Sequence, residues 1–137
     1  MELEINALDR LREAGIRVTM PRMAVYQYLL DNRTHPTCDQ IYSAISTDNP
    51  GISLASVYNV TEKLVEEKLL VKVIAPDGEG HYDSVTDFHG HFFCSKCNGI
   101  LDFPVRIDKL PNNLVGCHIR NISYIVEGSC PQCSKNH

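Results

Sequence analysis

No run in this chain approaches the apolar length that a membrane helix needs, and Met1-Glu-Leu-Glu-Ile-Asn6 has neither the basic region nor the apolar segment of an export signal. The expected location is therefore the cytoplasm, with no membrane partner. Internal repeats and low-complexity tracts are missing. So is any cofactor-binding loop, which weighs against an enzyme acting on an organic substrate. An excess of positive charge is lacking too. The formal net charge is -4, which argues against an indiscriminate nucleic-acid binder. Its distribution matters more than its sum: from Arg10 to Arg22 the chain places Arg10, Arg12, Arg17 and Arg22 against only Glu13. A basic face on an acidic protein is one reading of this cluster, and a merely solvated helix face is the other.

With 137 residues, the chain can form one ordinary domain or two small ones, and small lobes bury too little surface to be stable without a staple. Four of its six cysteines fall in two Cys-x-x-Cys pairs, Cys94/Cys97 and Cys130/Cys133. Without an export signal, metal binding in a reducing compartment is favoured over disulfides. Four thiolates from two such turns make a closed tetrahedral Zn2+ site, structural because it has no open position. Such a site contributes roughly 10–16 kcal/mol of apparent binding energy to folding. Directly before it stands His89-Gly-His91. On a strand, residues two apart point to one face and can share an ion, although two histidines alone fit a surface strand edge equally well. His35 before a proline, Asp83 at the end of a hairpin and Asp102 in the next strand are further donors at special places.

Spacing predicts a helix over residues 3–14, with Leu3, Ile5, Leu8, Leu11 and Ala14 inward and Gly15 as its stop. Thr19 caps a second helix with Pro21 in its first turn and Met23, Val25, Tyr26, Leu29 and Leu30 as its buried stripe. His35 lies on a connection, since Pro36 disfavours the helical conformation before it. Thr37 caps a third helix over 38–46, and Ser53 a fourth over 54–68. A strand over 70–75, a turn at Pro76 to Gly80 and a strand over 81–83 complete the pattern of a winged helix-turn-helix. The second half changes to short strands over 91–94, 100–103 and about 119–127, with a helix near Ile107 to Val115 that Pro111 shortens. The composition shift puts the domain boundary at a hinge over 84–88, giving domains 1–84 and 89–137 in an α+β chain.

Several stretches together resemble the ferric uptake regulator family, and within it most nearly the peroxide-sensing repressors. They are Ala14-Gly-Ile-Arg-Val-Thr-x-Pro-Arg22, His35-Pro-Thr-Cys-Asp-Gln-Ile-Tyr42, Ser53-Leu-Ala-Ser-Val-Tyr-Asn59, His81-Tyr-Asp83, His89-x-His91, Cys94-x-x-Cys97 with Asp102, and Gly128-Ser-Cys-Pro-Gln-Cys133. They cover nearly the whole chain in the family's order. The resemblance implies an N-terminal winged-helix DNA-binding domain and a small C-terminal α/β dimerisation domain with a four-cysteine structural zinc site. It assigns a regulatory metal to His35, Asp83, His89, His91 and Asp102. Three imidazoles and two carboxylates suit Fe2+ or Mn2+ in hardness, while Zn2+ competes on raw affinity. Aspartate at Asp102 is similar to the peroxide sensors, where glutamate is typical of iron-uptake regulators. By that resemblance Fe2+ reacts with H2O2 and oxygen is added to a ligand histidine, here His35 or His89, releasing DNA.

For the partner, a double-stranded palindromic operator bound by a homodimer, the fourth helix is the expected reader. Ser56, Tyr58 and Asn59 lie near its N-terminal end, with Tyr58 suited to a thymine methyl and Asn59 to adenine. Arg17 matches a minor-groove position of relatives, and Arg12 and Arg22 suit phosphates. A core role is the alternative for Tyr58. The chain departs from the family pattern at Ile122, where relatives with an extra site carry histidine, so no third metal site is expected. Cys38 reads as a buried helix residue or a thiol ligand. His81, His118, His137 and Cys117 receive no role. Rival functions are an iron, manganese or zinc uptake regulator without peroxide sensing and, from a different class, a non-haem iron enzyme.

Overall fold

The computed structural model describes residues 6–106, 110–119 and 122–135. The chain divides into two compact units, Met1–Thr86 and Asp87–His137.

In the first unit, helices begin where short polar side chains satisfy their first amides. Asn6 caps α1, Ala7–Glu13, by accepting from Leu8 N; Leu3 and Ile5 of the expected stripe lie outside the described residues. Thr19 caps α2, Met20–Asp31, through Arg22 N. Thr37 and Gln40 form a reciprocal capping box on α3, Cys38–Ile45. Ser53 accepts from Ser56 N to start α4, Leu54–Glu66. That helix stops short of the expected Lys68, because Lys68 turns left-handed with φ 63°. The amides of Lys68 and Leu69 then return to the carbonyls of Val65 and Leu64, closing a Schellman motif. In α2, Val25, Tyr26 and Leu29 are buried, but Met23 is 37% exposed, against expectation. At 3.6 residues per turn it is rotated about 200° from Val25, which sends it off the core stripe.

Strands β1, Val71–Ile74, and β2, Gly80–Asp83, pair antiparallel with Val71 opposite Asp83. The turn between them uses Gly78 at φ 90°. Tyr82 projects from β2 into a core formed by Leu11, Tyr26, Leu29, Ile41, Val57 and Leu64. Helices followed by this hairpin make the winged helix-turn-helix arrangement.

The second unit is a three-stranded sheet of order β4-β3-β5. Its strands are β3, His89–Cys94; β4, Ile100–Pro104; and β5, Ile125–Gly128. β4 runs antiparallel to β3, and β5 parallel to it. Gly90 faces Phe103 across the β3/β4 pair, and the Phe103 ring lies where a Cβ would stand; Tyr124 meets that ring edge-on at 5.7 Å. Among the described residues the expected helix near 107–115 is reduced to a single 3-10 turn, Asn112–Leu114, with Pro111 fixing its start. Residues 107–109 lie outside the described residues. Likewise the expected long strand is paired only over Ile125–Gly128, and 120–121 are not described. A short helix, α5, Pro131–Ser134, follows.

Candidate metal centres

The sulfur cluster is a product of strand register. β3 ends on Cys94, and a tight turn with Asn98 at φ 60° bonds Cys94 N to the Gly99 carbonyl, bringing Cys97 back beside Cys94. The parallel pairing sets Cys94 against Gly128, so the chain leaves β5 next to the same turn and delivers Cys130, then Cys133 from α5. One sulfur from each cysteine lies within 4.8 Å of every other, and Cys97 Sγ is 3.9 Å from Cys130 Sγ. Thiolates at a Zn–S length of about 2.3 Å stand about 3.8 Å apart at the corners of a tetrahedron. The amides of Cys97 and Cys130 both point at Cys94 Sγ, at 3.5 and 3.3 Å, and they draw its thiol down to about 6. Cys133 goes the other way, up to about 12, because its proton is held between the sulfurs of Cys130 and Cys94. Four sulfurs this close cannot all ionise unless a cation joins them. The set fits a structural Zn2+ with no position left for chemistry.

Of the five nitrogen and oxygen donors, His35 and Asp83 belong to the first unit and His89, His91 and Asp102 to the second. In the second, the register places His91 opposite Asp102 with His89 two residues away on the same face. Asp102 Oδ1 is 3.5 Å from His89 Nε2 and 3.4 Å from His91 Nε2, and the two imidazoles stack obliquely at 4.4 Å. These separations exceed the usual hydrogen bond of about 2.7–3.2 Å. They match donors that each sit about 2.1 Å from one shared ion, which stand about 3.0–3.4 Å apart. His89 Nδ1 lies 2.7 Å from the Asp87 carbonyl. A carbonyl only accepts, so Nδ1 carries the proton and Nε2 keeps the lone pair that a metal needs.

In the first unit, His35 Nε2 is 3.3 Å from Asp83 Oδ2, with both residues buried. Asp83 uses its other oxygen to accept from Val85 N, which fixes the carboxylate's orientation. His35 has φ 55°, a left-handed conformation that costs a non-glycine residue about 1–3 kcal/mol and persists only where its surroundings enforce it. Cys38 takes no part: it is 2% exposed, its sulfur 3.4 Å from Thr61 Oγ1 in the helical core. Sequence reasoning missed the carbonyl of Asp87 and the ring of His81, which contacts the His35 carbonyl. The latter pair is 46 residues apart, and no local signal could have joined them.

Of the residues expected to meet DNA, Arg12 and Arg17 are exposed and Arg22 is half-buried. The Arg22 guanidinium donates to the Arg17 carbonyl at 2.8 Å. On α4, Asn59 is exposed and Tyr58 is 44% exposed, not a core aromatic. Ser56 is half-buried, its hydroxyl 2.9 Å from that of Ser53. The Asp39 carboxylate raises the Tyr58 phenol above its ordinary range.

Among known proteins, the ferric uptake regulator family pattern matches residues 13–124. The peroxide operon regulator of Bacillus subtilis (strain 168) is 34% identical over 138 residues, covering 96% of this chain and 95% of that protein. The structure of PerR from Streptococcus pyogenes, concerned with peroxide sensing and gene regulation, is 32% identical with a TM-score of 0.53, covering 94% of each chain. The Helicobacter pylori ferric uptake regulator, 20% identical with a TM-score of 0.71 over 93% of this chain and 91% of its own, shares the fold. A family match of this extent, with a relative so similar along almost all of both chains, makes this protein a member of the ferric uptake regulator family, a transcription regulator and not an enzyme.

Proposed function

We propose that this protein is a homodimeric, metal-dependent repressor that holds a palindromic operator while its regulatory ion is bound and leaves it when peroxide oxidises an iron-ligating histidine. The observation that carries this reading is Asp102, one oxygen of which stands within 3.5 Å of both His89 and His91. The similarity to a peroxide operon regulator supports it.

In this reading Cys94, Cys97, Cys130 and Cys133 hold structural Zn2+, and His35, Asp83, His89, His91 and Asp102 share Fe2+ or Mn2+. Residues 1–84 bind DNA, 84–88 act as a hinge, and 89–137 dimerise. Two of the five ligands belong to the first unit and three to the second, so an ion held by all five biases the hinge. Moving such an equilibrium from about 1:99 to 99:1 takes about 5.5 kcal/mol of differential affinity, within the scale of a divalent ion gaining ligands. When bound, Fe2+ supplies the peroxide reduction that leaves an oxygen on His35 or His89, and Mn2+ does not. The oxidised ring loses its donor, and its half of the ligand set separates from the other.

The dimer is supported by apolar side chains left uncovered in the second unit. Val115 is 81% exposed, Leu101 53% and Tyr124 49%. Arg12 and Arg17 would meet phosphates and the minor groove, with Arg22 beside them, while Ser56, Tyr58 and Asn59 face the major groove.

The test is selection of operator DNA from a library of palindromes with the Mn2+-loaded protein, followed by binding with Mn2+ and with Fe2+ before and after H2O2. The expected result is release of the Fe2+ form alone, with one oxygen atom gained on His35 or His89 by mass spectrometry. If both forms stay on DNA after peroxide, the protein is an uptake-type regulator instead.

A further inference from the structure

β2 holds the His35 connection at three successive points. The ring of His81 approaches the His35 carbonyl, Nδ1 to oxygen 2.7 Å. The amide of Tyr82 donates to the Pro36 carbonyl at 3.0 Å. The carboxylate of Asp83 faces the His35 imidazole at 3.3 Å. Strand alternation explains the grip, since His81 and Asp83 share one face of β2 while Tyr82 points the opposite way. Tyr82 is 3% exposed and packs in the helical core, so the strand that grips His35 is itself anchored.

His35 needs such a grip. A left-handed backbone is uncommon for a residue with a side chain, and a following proline restricts its predecessor further. Nothing local in His35-Pro36 favours φ 55°; the constraint has to come from elsewhere in the fold.

We infer that His81 is a positioning residue for the regulatory ion: its ring, bonded to the His35 carbonyl, holds that backbone in the left-handed conformation that aims the His35 imidazole at Asp83. The inference rests on the reading of His35 and Asp83 as ligands. His81 itself donates nothing to the ion. Because a carbonyl can only accept, the bond requires the proton of the His81 ring on Nδ1.

The test uses full-length, zinc-loaded protein and measures Mn2+ affinity by the resonance signal of free Mn2+. His81→Leu should weaken Mn2+ binding about 10- to 100-fold, the effect typical of residues that orient metal ligands. His81→Asn should restore most of it, because its amide nitrogen falls close to the place of Nδ1 and still donates. Nitrogen NMR of the wild-type imidazoles should find the His81 proton on Nδ1. Wild-type affinity in His81→Leu overturns the inference, as does His81→Asn as weak as His81→Leu or a proton on Nε2. Where His81→Leu does not fold, the nitrogen spectrum and His81→Asn decide. His35→Ala separates the two levels: if it binds Mn2+ as the wild type does, the ligand reading itself fails, whereas loss in His35→Ala without loss in His81→Leu removes only the role of His81.

Discussion

Gly90 separates the two histidines of β3, and replacing it with alanine tests how the sheet holds them. A Cβ at this position would stand 2.3 Å from Phe103 Cζ and 2.4 Å from its Cε2. Carbon atoms in contact prefer about 3.5–4.0 Å, so the ring has to withdraw by about 1 Å or more. It is not free to do so cheaply, because it meets Tyr124 edge-on at 5.7 Å and its strand is paired to Gly90 itself. Overpacking of this kind costs about 1–3 kcal/mol. For a chain of this length, each kcal/mol lowers the melting midpoint by about 3–5 °C. The decisive experiment is a double-mutant cycle on the zinc-loaded protein, with thermal unfolding followed by circular dichroism. In the Phe103→Ala background the obstruction is gone, and alanine in place of glycine in an extended strand should stabilise by about 0.5–1 kcal/mol. The effect of Gly90→Ala should therefore change sign between the two backgrounds. A cost of the same sign and size in both would refute the contact.

Three further outcomes follow from the same geometry. Cys130→Ser, or removal of zinc by a chelator, should expose the second unit to limited proteolysis while residues 6–86 stay protected, since among the second unit's described residues only Gly90, His91, Phe93 and Cys94 are buried; equal protection of both units would count against the zinc reading. Burial pushes the Tyr82 phenol up to about 12 from an ordinary value of 10.0, so the stability it contributes is intact below pH 10 and is lost as pH rises toward 12. Tyr82→Phe should remove that alkaline loss, seen as a flatter dependence of the melting midpoint on pH. Arg22→Ala should free the Arg17 loop from its 2.8 Å tether and weaken operator binding with a shallower salt dependence; an unchanged salt slope would show that Arg22 neither meets phosphate nor positions Arg17.

What could be read from the sequence was what is decided locally. The caps at Thr19, Thr37 and Ser53 stand where short polar side chains precede apolar periodicity, and the structure uses all three. Alternation in β3 is equally local, so the shared face of His89 and His91 could be expected from the residues alone. Local pattern misleads where apolar residues recur off the angle of the buried stripe, as at Met23, or where proline interrupts a helical run, as at Pro111. Contacts between distant residues were illegible for a different reason. His81 reaches the His35 carbonyl because hairpin and connection are brought together by Tyr82 in the core, and neither segment records that meeting. Gly90 did carry a readable sign, since glycine inside a strand marks a close approach, but the identity of the approaching ring had to come from register.

Register also links the two kinds of donor. Alternation sends His89, His91 and Phe93 to one face of β3 and Gly90, Phe92 and Cys94 to the other, and Asp102 lies opposite His91 only in the observed pairing. A slip of one residue between β3 and β4 would turn Asp102 to the wrong face and leave both imidazoles without it. Zinc held by Cys94 and Cys97 would fix the turn between those strands, so that β4 cannot leave its register without breaking sulfur ligation. The bonds from Ser95 N and Oγ to the Gly128 carbonyl hold β5 to the same end of the sheet. On this argument loss of structural zinc abolishes regulation before it abolishes the fold of the first unit, because the first thing to go is the alignment that gives one carboxylate to two histidines.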